Sequence, residues 1–304
     1  MRVGVIDVGT YSTRLTVAEV GKDDFKVLYE EGKITALGRG VKQTGFLSKE
    51  AIEETLEVIK RYKRICDELG VKECLVLGTE ALRVAKNREE FERELERLGL
   101  KLRVISPEEE GRYAYLGAYW ALRPKGRVGV VDQGGGSTEF VFGEGTRVEE
   151  VVSLPFGIVN LTEAFLRHDP PTEEELGRLI DFLDREIKKA VRPVDELVGL
   201  GGTITTIAAL EYGIYPYDPS KVSGKTLTRE QLKRWFERLS KMSVAERKRL
   251  PQIEDRRAEA IVPGVAIFWR TLELFGKDRL TVSDWSVKQG AIVANFLLKE
   301  GKKD

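Results

Sequence analysis

Several stretches of this chain combine residue types suited to holding phosphate. Val130-Val131-Asp132-Gln133-Gly134-Gly135-Gly136-Ser137-Thr138-Glu139 passes from an apolar run through an acidic residue into three glycines and two hydroxyls, and a second apolar run follows. Glycine lets a backbone approach an anion closely, and successive amides in such a turn form an anion-binding concavity. Asp132, at the strand end, is suited to a divalent cation, often the largest local charge in a phosphate site. One copy of this pattern reads equally well as a plain glycine-rich hairpin turn. The N-terminus carries a second version, Val3-Gly4-Val5-Ile6-Asp7-Val8-Gly9-Thr10-Tyr11-Ser12-Thr13-Arg14-Leu15. The pair predicts two similar domains facing one phosphate-bearing ligand. A third stretch, Gly199-Leu200-Gly201-Gly202-Thr203, brings a strand into glycines and sends a helix out. A helix N-terminus preceded by glycines is a ready anion site; a tight strand-to-helix packing turn is the alternative.

Elements that position these stretches follow from periodicity. Val3–Ile6, Leu15–Val20 and Phe25–Tyr29 read as three strands of a meander. Ser48 caps a helix whose apolar face is Ile52, Leu56, Ile59, Tyr62, Ile65 and Leu69, stopped at Gly70. Cys74–Gly78 reads as a buried strand ending where a helix begins at Thr79–Arg83, and Arg88–Leu98 as a charged helix. Leu102–Ile105 is a strand leading to Ser106-Pro107-Glu108-Glu109-Glu110-Gly111. Ser106 with Glu109 fits a capping box and Pro107 the first helical position. On that pattern alone, the three glutamates complement a helix dipole. A mostly apolar helix continues over Tyr113–Leu122, and residues 121–127 read as a linker.

In the second half, a strand over Val151–Leu154 precedes helices at Val159–Phe165 and from Thr172, whose partner Glu175 completes a capping box. Residues 212–225 read as an aromatic, polar loop, with helices over Thr228–Lys241, Ser243–Leu250 and Ile261–Phe275. A strand over Leu280–Asp284, a helix over Gly290–Leu298 and a charged tail complete the chain. The expected organisation is domain I over 1–122, domain II over 123–289, and a C-terminal helix of about 290–304 packing back on domain I.

The 304 residues hold 50 basic and 50 acidic side chains, a formal net charge of zero, so no global basic field favours nucleic acid. Charged residues at 33% with only two Cys and two Met resemble a thermophile composition. Cys66 and Cys74 fit no metal or disulfide pattern and read as small buried apolar residues. His168, the single histidine, stands in a loop, which argues against a histidine-based nucleophile relay. No signal segment opens the chain and no apolar run reaches the roughly 18 residues of a membrane span. A cytoplasmic protein, a monomer or homodimer with no membrane partner, is expected.

Taken together the chain resembles the exopolyphosphatase / guanosine pentaphosphate phosphatase (Ppx/GppA) family, within the actin–hexokinase–Hsp70 fold group. The resemblance runs nearly end to end. It rests on Ile6–Leu15, Thr79-Glu80-Ala81-Leu82-Arg83, Ile105–Gly111, Val131–Glu139, Ser153-Leu154-Pro155-Phe156-Gly157, Gly199–Thr203 and Val282-Ser283-Asp284, in that order. It implies an α/β protein of two actin-like (ribonuclease H-like) domains with an interdomain cleft. The implied activity is hydrolysis of a terminal phosphoanhydride of inorganic polyphosphate, or of pppGpp to ppGpp, assisted by Mg²⁺ or another divalent cation. The matching positions make Glu110 the catalytic base, with Glu109 the runner-up, and Arg14 the group that steadies the terminal phosphate. Phosphate falls to Gly9, Thr10, Tyr11, Ser12, Gly134, Gly135, Gly136, Ser137, Gly201, Gly202 and Thr203, and metal to Asp132, Asp7 and Glu139; Arg83 is expected to assist phosphate binding from its helix start. Thr10 stands for a usual Ser, Pro107 for a usual Gly, and Trp285-Ser286 for a usual Arg-Gly. The chain resembles the short form, without the helical HD-type domain of longer members. Two other readings share the motifs: a small-molecule kinase of the same fold group, and a non-enzymatic polyphosphate or alarmone binder.

Overall fold

The computed structural model describes residues 1–298. They divide into two compact units, residues 1–117 with 287–298, and residues 118–286. The division falls inside the helix Pro107–Leu122.

The first unit is built on β1 (Arg2–Val8), β2 (Ser12–Val20), β3 (Phe25–Ile34), β4 (Glu73–Gly78) and β5 (Leu102–Val104). Their order is β3-β2-β1-β4-β5, with β1 antiparallel to β2 and parallel to β4. Val3 to Ile6 are all buried, as a central strand covered on both faces requires. Helix Lys49–Glu68 covers one face through Ile52, Leu56, Ile59 and Tyr62, and the Ser48 hydroxyl caps it by accepting from the Ala51 amide. The Tyr62 hydroxyl donates to the Thr13 carbonyl at 2.8 Å, tying helix to sheet beside the turn between β1 and β2.

The second unit is built on β6 (Arg127–Gln133), β7 (Thr138–Glu144), β8 (Arg147–Leu154), β9 (Glu196–Leu200), β10 (Thr226–Thr228) and β11 (Arg279–Val282). The order is β10-β11-β9-β6-β7-β8. Apart from the added edge strand β10, this repeats the first sheet: an antiparallel meander followed by strands added in parallel on its first member. Helices Glu173–Lys188, Gly202–Glu211, Arg229–Ser240 and Ile261–Phe275 bury Leu179, Leu183, Ile204, Ile207, Phe236 and Phe268 in one core.

The differences from the expected elements have physical reasons. β3 runs on to Ile34, beyond Tyr29, because an edge strand tolerates the charged run Glu30–Lys33. Residues 212–225 contain a helical turn, Pro219–Val222, and lead into β10, a strand too short to show alternation. The helix expected over Ser243–Leu250 shrinks to Val244–Arg247, and the one expected from Gly290 begins at Val287 and finishes as a π-helix over Val293–Leu297. The expected charged tail lies outside the described residues. Among the described residues no helix is long and apolar enough to cross a membrane.

The Thr172 capping box carries a pH signature. Glu175 accepts from the Thr172 amide at 3.0 Å and the Arg167 amide at 2.7 Å. The Thr172 bond foremost, then the Arg167 bond, holds its carboxyl down at about 2, below the ordinary value of 4.5. A depressed carboxylate adds stability that is whole above its unfolded value and lost as pH falls through its folded one. Glu175→Gln should therefore lower stability by about 1 kcal/mol at neutral pH. In calorimetric melts the gap to wild type should close as pH falls from about 4.5 toward 2.

Candidate active site

The turn between β6 and β7 is fixed by its carbonyls. The Gly134 carbonyl accepts from the Ile158 amide at 3.0 Å and the Gly135 carbonyl from the Val159 amide at 2.9 Å. The Gly136 carbonyl accepts from Asn160 Nδ2 at 3.3 Å. These donors are the first turn of helix Ile158–Phe165. In a planar trans peptide the next residue's N–H points opposite to the carbonyl. The amides of Gly135, Gly136 and Ser137 therefore aim away from that helix, on the opposite side of the turn, as an anion cradle requires. The closeness explains Gly157: a Cβ there would lie 2.3 Å from the Gly134 oxygen and 2.6 Å from the Gly135 oxygen.

The turn between β1 and β2 uses the same construction. Its first amide, Gly9, donates to the Ser12 carbonyl at 3.0 Å, as Gly134 donates to Ser137. The Thr10 carbonyl accepts from the Gly38 amide, and the Tyr11 carbonyl from the amides of Thr35 and Ala36. The Tyr11 and Ser12 amides thus face the other way. The Thr10 hydroxyl is occupied structurally, accepting from the Ala81 amide at 3.2 Å. Arg14 lies across Gly32 of β3 and donates from Nε to the Ser12 hydroxyl at 3.1 Å.

The two turns differ in charge. In β1–β2 Asp7 is paired in register with Arg14, whereas in β6–β7 Asp132 is paired with Glu139. Carboxylate oxygens of Asp132 and Glu139 lie within 4.8 Å of each other, and Glu139 is buried, accepting from the Ser153 hydroxyl at 2.9 Å. Like charges directly opposed across strands are destabilising. The oxygen-only donor set and its excess negative charge fit a hard divalent cation. Asp7 differs: its Oδ1 is covered and has no hydrogen-bond partner among the described residues. Burial pushes its carboxyl up, while Lys288 and Arg14 pull it back.

The third stretch forms as expected, with β9 ending at Leu200 and a helix starting at Gly202. The Thr203 side chain packs against Gly264 of helix Ile261–Phe275. Arg257, which the motif pattern missed, lays its guanidinium on Gly202. A Cβ at Gly202 would meet Nη2 at 2.2 Å. Nothing in the sequence around Arg257 marks it, because its partner Gly202 lies 55 residues away. Arg247 holds this turn in place, donating to the Ala258 carbonyl and the Leu239 carbonyl, each at 2.9 Å.

The glutamates of helix Pro107–Leu122 separate. Glu110 is buried and bound by Arg83 Nη1 at 2.9 Å. Arg83 also binds Glu80 at 3.1 Å and the Ile105 carbonyl at 2.9 Å. Arg83 thus ties Glu110 to Glu80 and to the end of the strand before the helix. Glu109 pairs with Arg103 on the surface, and its amide is capped by the Ser106 hydroxyl at 3.1 Å. The expected capping box is therefore half made, because the Glu109 carboxylate turns to Arg103.

A sequence model of the Ppx/GppA phosphatase family matches residues 16–299. The chain belongs to the Ppx/GppA phosphatase family. Exopolyphosphatase 2 of Mycobacterium tuberculosis is 34% identical over 95% of this chain and 97% of its own length. A bifunctional 3-dehydroquinate synthase/phosphatase of Fusobacterium nucleatum is 29% identical over 95% of the chain, which spans about half, 46%, of that longer protein. A Ppx/GppA family member from Aquifex aeolicus superposes with a TM-score of 0.87 at 53% identity, covering 100% of this chain and 99% of its own. An exopolyphosphatase from Cytophaga hutchinsonii superposes with a TM-score of 0.90 at 25% identity, covering 97% of each chain. The two mixed sheets are thus the actin-like fold of Ppx/GppA proteins.

For this Ppx/GppA chain the glycine turn rests on Gly157, and that dependence is measurable. Gly157→Ala should push the Gly134–Gly136 carbonyls off helix Ile158–Phe165 and misdirect the amides between them. We expect polyphosphate binding, followed by calorimetry, to weaken roughly tenfold or more, which is about 1.4 kcal/mol, while far-ultraviolet circular dichroism stays native-like.

Proposed function

We propose that this chain is an exopolyphosphatase, releasing terminal phosphate from inorganic polyphosphate by attack of water. The observation that carries this reading is the twice-built turn whose carbonyls are tied to the protein and whose amides face outward. Repeated cradles of this kind suit a ligand that repeats its phosphates. The names of the Mycobacterium tuberculosis and Cytophaga hutchinsonii relatives support the substrate class.

In the first unit, Glu110 orients the attacking water and takes its proton, and Arg83 holds that carboxylate in place. The Tyr11 and Ser12 amides and Arg14 bind phosphate oxygens. In the second unit, the amides of Gly135, Gly136 and Ser137 do the same, with the Gly202 helix start and Arg257 as a further anion contact. Asp132 and Glu139 would hold a divalent cation such as Mg²⁺, which supplies charge neutralisation when bound. Phosphoryl transfer depends chiefly on such positioning and electrostatics. Water forms the new P–O bond as the bridging P–O bond breaks, and the electron pair leaves with the shortened polyphosphate. pppGpp presents the same terminal phosphoanhydride, and the same groups serve it as a second substrate.

Glu110→Gln keeps the shape of the site and removes its base. Phosphate release from long-chain polyphosphate and from pppGpp, assayed side by side with Mg²⁺, should fall about 10²–10⁴-fold in this variant, with polyphosphate binding retained. The ratio of the two wild-type rates names the main substrate. Wild-type turnover by Glu110→Gln would remove Glu110 from the mechanism. Binding with no release by the wild-type protein would make it a phosphate-polymer sensor, and ATP-dependent phosphorylation of an acceptor would make it a kinase.

A further inference from the structure

The two cysteines, unrelated in sequence pattern, meet in the first unit. Cys66 lies near the end of helix Lys49–Glu68 and Cys74 at the start of β4. The chain between them turns back on itself: the Val71 amide donates to the Cys66 carbonyl at 2.9 Å, and the Lys72 amide to the Arg2 carbonyl at 2.9 Å. This return brings Cys74 into register beside Gly4 of β1. Both sulfurs converge over the Gly4 Cα. A Cβ there would lie 3.0 Å from Cys66 Sγ and 3.5 Å from Cys74 Sγ. Both thiols are free. Cys66 is buried and Cys74 half-buried.

We propose that Cys66 and Cys74 form a thiol–disulfide pair, which a small peroxide converts into an intramolecular disulfide joining helix Lys49–Glu68 to β4. Geometry supplies what this bond needs: two sulfurs that converge on one Cα, beside the Val71 side chain, on elements already fixed by the core. The neighbouring Cys74 thiol lowers the Cys66 thiol, while Cys66 and burial raise that of Cys74. Cys66 is therefore the attacking sulfur, since the thiolate is the nucleophile. Its sulfur bonds to one peroxide oxygen, the O–O bond breaks, and hydroxide leaves to become water. The Cys74 sulfur then attacks the resulting sulfenic acid, the S–O bond breaks, and the hydroxyl departs with the Cys74 proton as a second water. Two electrons from the sulfurs reduce the peroxide.

The bond would lie at one end of β1 and β4, while the Asp7–Ser12 turn and Thr79–Arg83 lie at the other. Its effect should be on stability, through a shorter-ranged unfolded chain, and not on turnover.

The full chain is treated with hydrogen peroxide, alkylated, and analysed by intact mass and peptide mapping. We expect a loss of two hydrogens, no alkylation, one Cys66–Cys74 linked peptide, a melting temperature raised by a few degrees, unchanged phosphate release, and full reversal by dithiothreitol. Cys66→Ser and Cys74→Ser should each keep one oxidisable thiol and show no rise in melting temperature. Two alkylatable thiols in the folded chain, at a peroxide dose that oxidises them after unfolding, would overturn the proposal. So would sulfinic acid in place of the linked peptide, or a link between two chains.

Discussion

The constraint on which the rest depends is the planarity of a few peptide bonds. Three carbonyls, of Gly134, Gly135 and Gly136, are held by the first turn of helix Ile158–Phe165. Two more, of Thr10 and Tyr11, are held by residues 35–38. Once a carbonyl is fixed, its partner N–H has one direction left. The glycines are thus needed less for flexibility than for closeness: Gly157 lies where any side chain would strike the turn it supports. A cradle set by main-chain geometry keeps its shape without ligand, so little of the binding free energy is spent ordering it.

On this common frame the two units differ in charge. The register positions behind each turn hold Asp7 with Arg14 in one unit and Asp132 with Glu139 in the other. The first pair sets opposite charges side by side; the second concentrates negative charge and suits a cation. Arg83 adds a second layer of preorganisation, using its fork on Glu110, Glu80 and the Ile105 carbonyl together. A planar guanidinium can satisfy three such partners, which a lysine ammonium of less directional geometry would not hold in the same arrangement.

The strands, the glycine turns and the Ser48 and Thr172 caps were legible in sequence because each is encoded within a few neighbouring residues. The doubled strand–Asp–Gly–hydroxyl pattern even announced the repeated sheet. What sequence did not show are contacts made across long separations. The pairing of Arg83 with Glu110 carries no local signal, and Glu109 reads as a capping residue until Arg103 draws its carboxylate away. Arg257 carries no motif of its own; only the bare Cα of Gly202 beneath it explains its place. β10 was too short for any periodicity, and the meeting of Cys66 with Cys74 depends on a chain reversal that spacing alone does not reveal.

In the proposed mechanism the main-chain amides of the two turns carry the phosphates. The most direct measurement is amide NMR of the Glu110→Gln protein titrated with polyphosphate in the presence of Mg²⁺. The resonances of Tyr11, Ser12, Gly135, Gly136 and Ser137 should move and saturate ahead of those of the surface lysines and arginines. Saturable binding that leaves those five amides unmoved would contradict it.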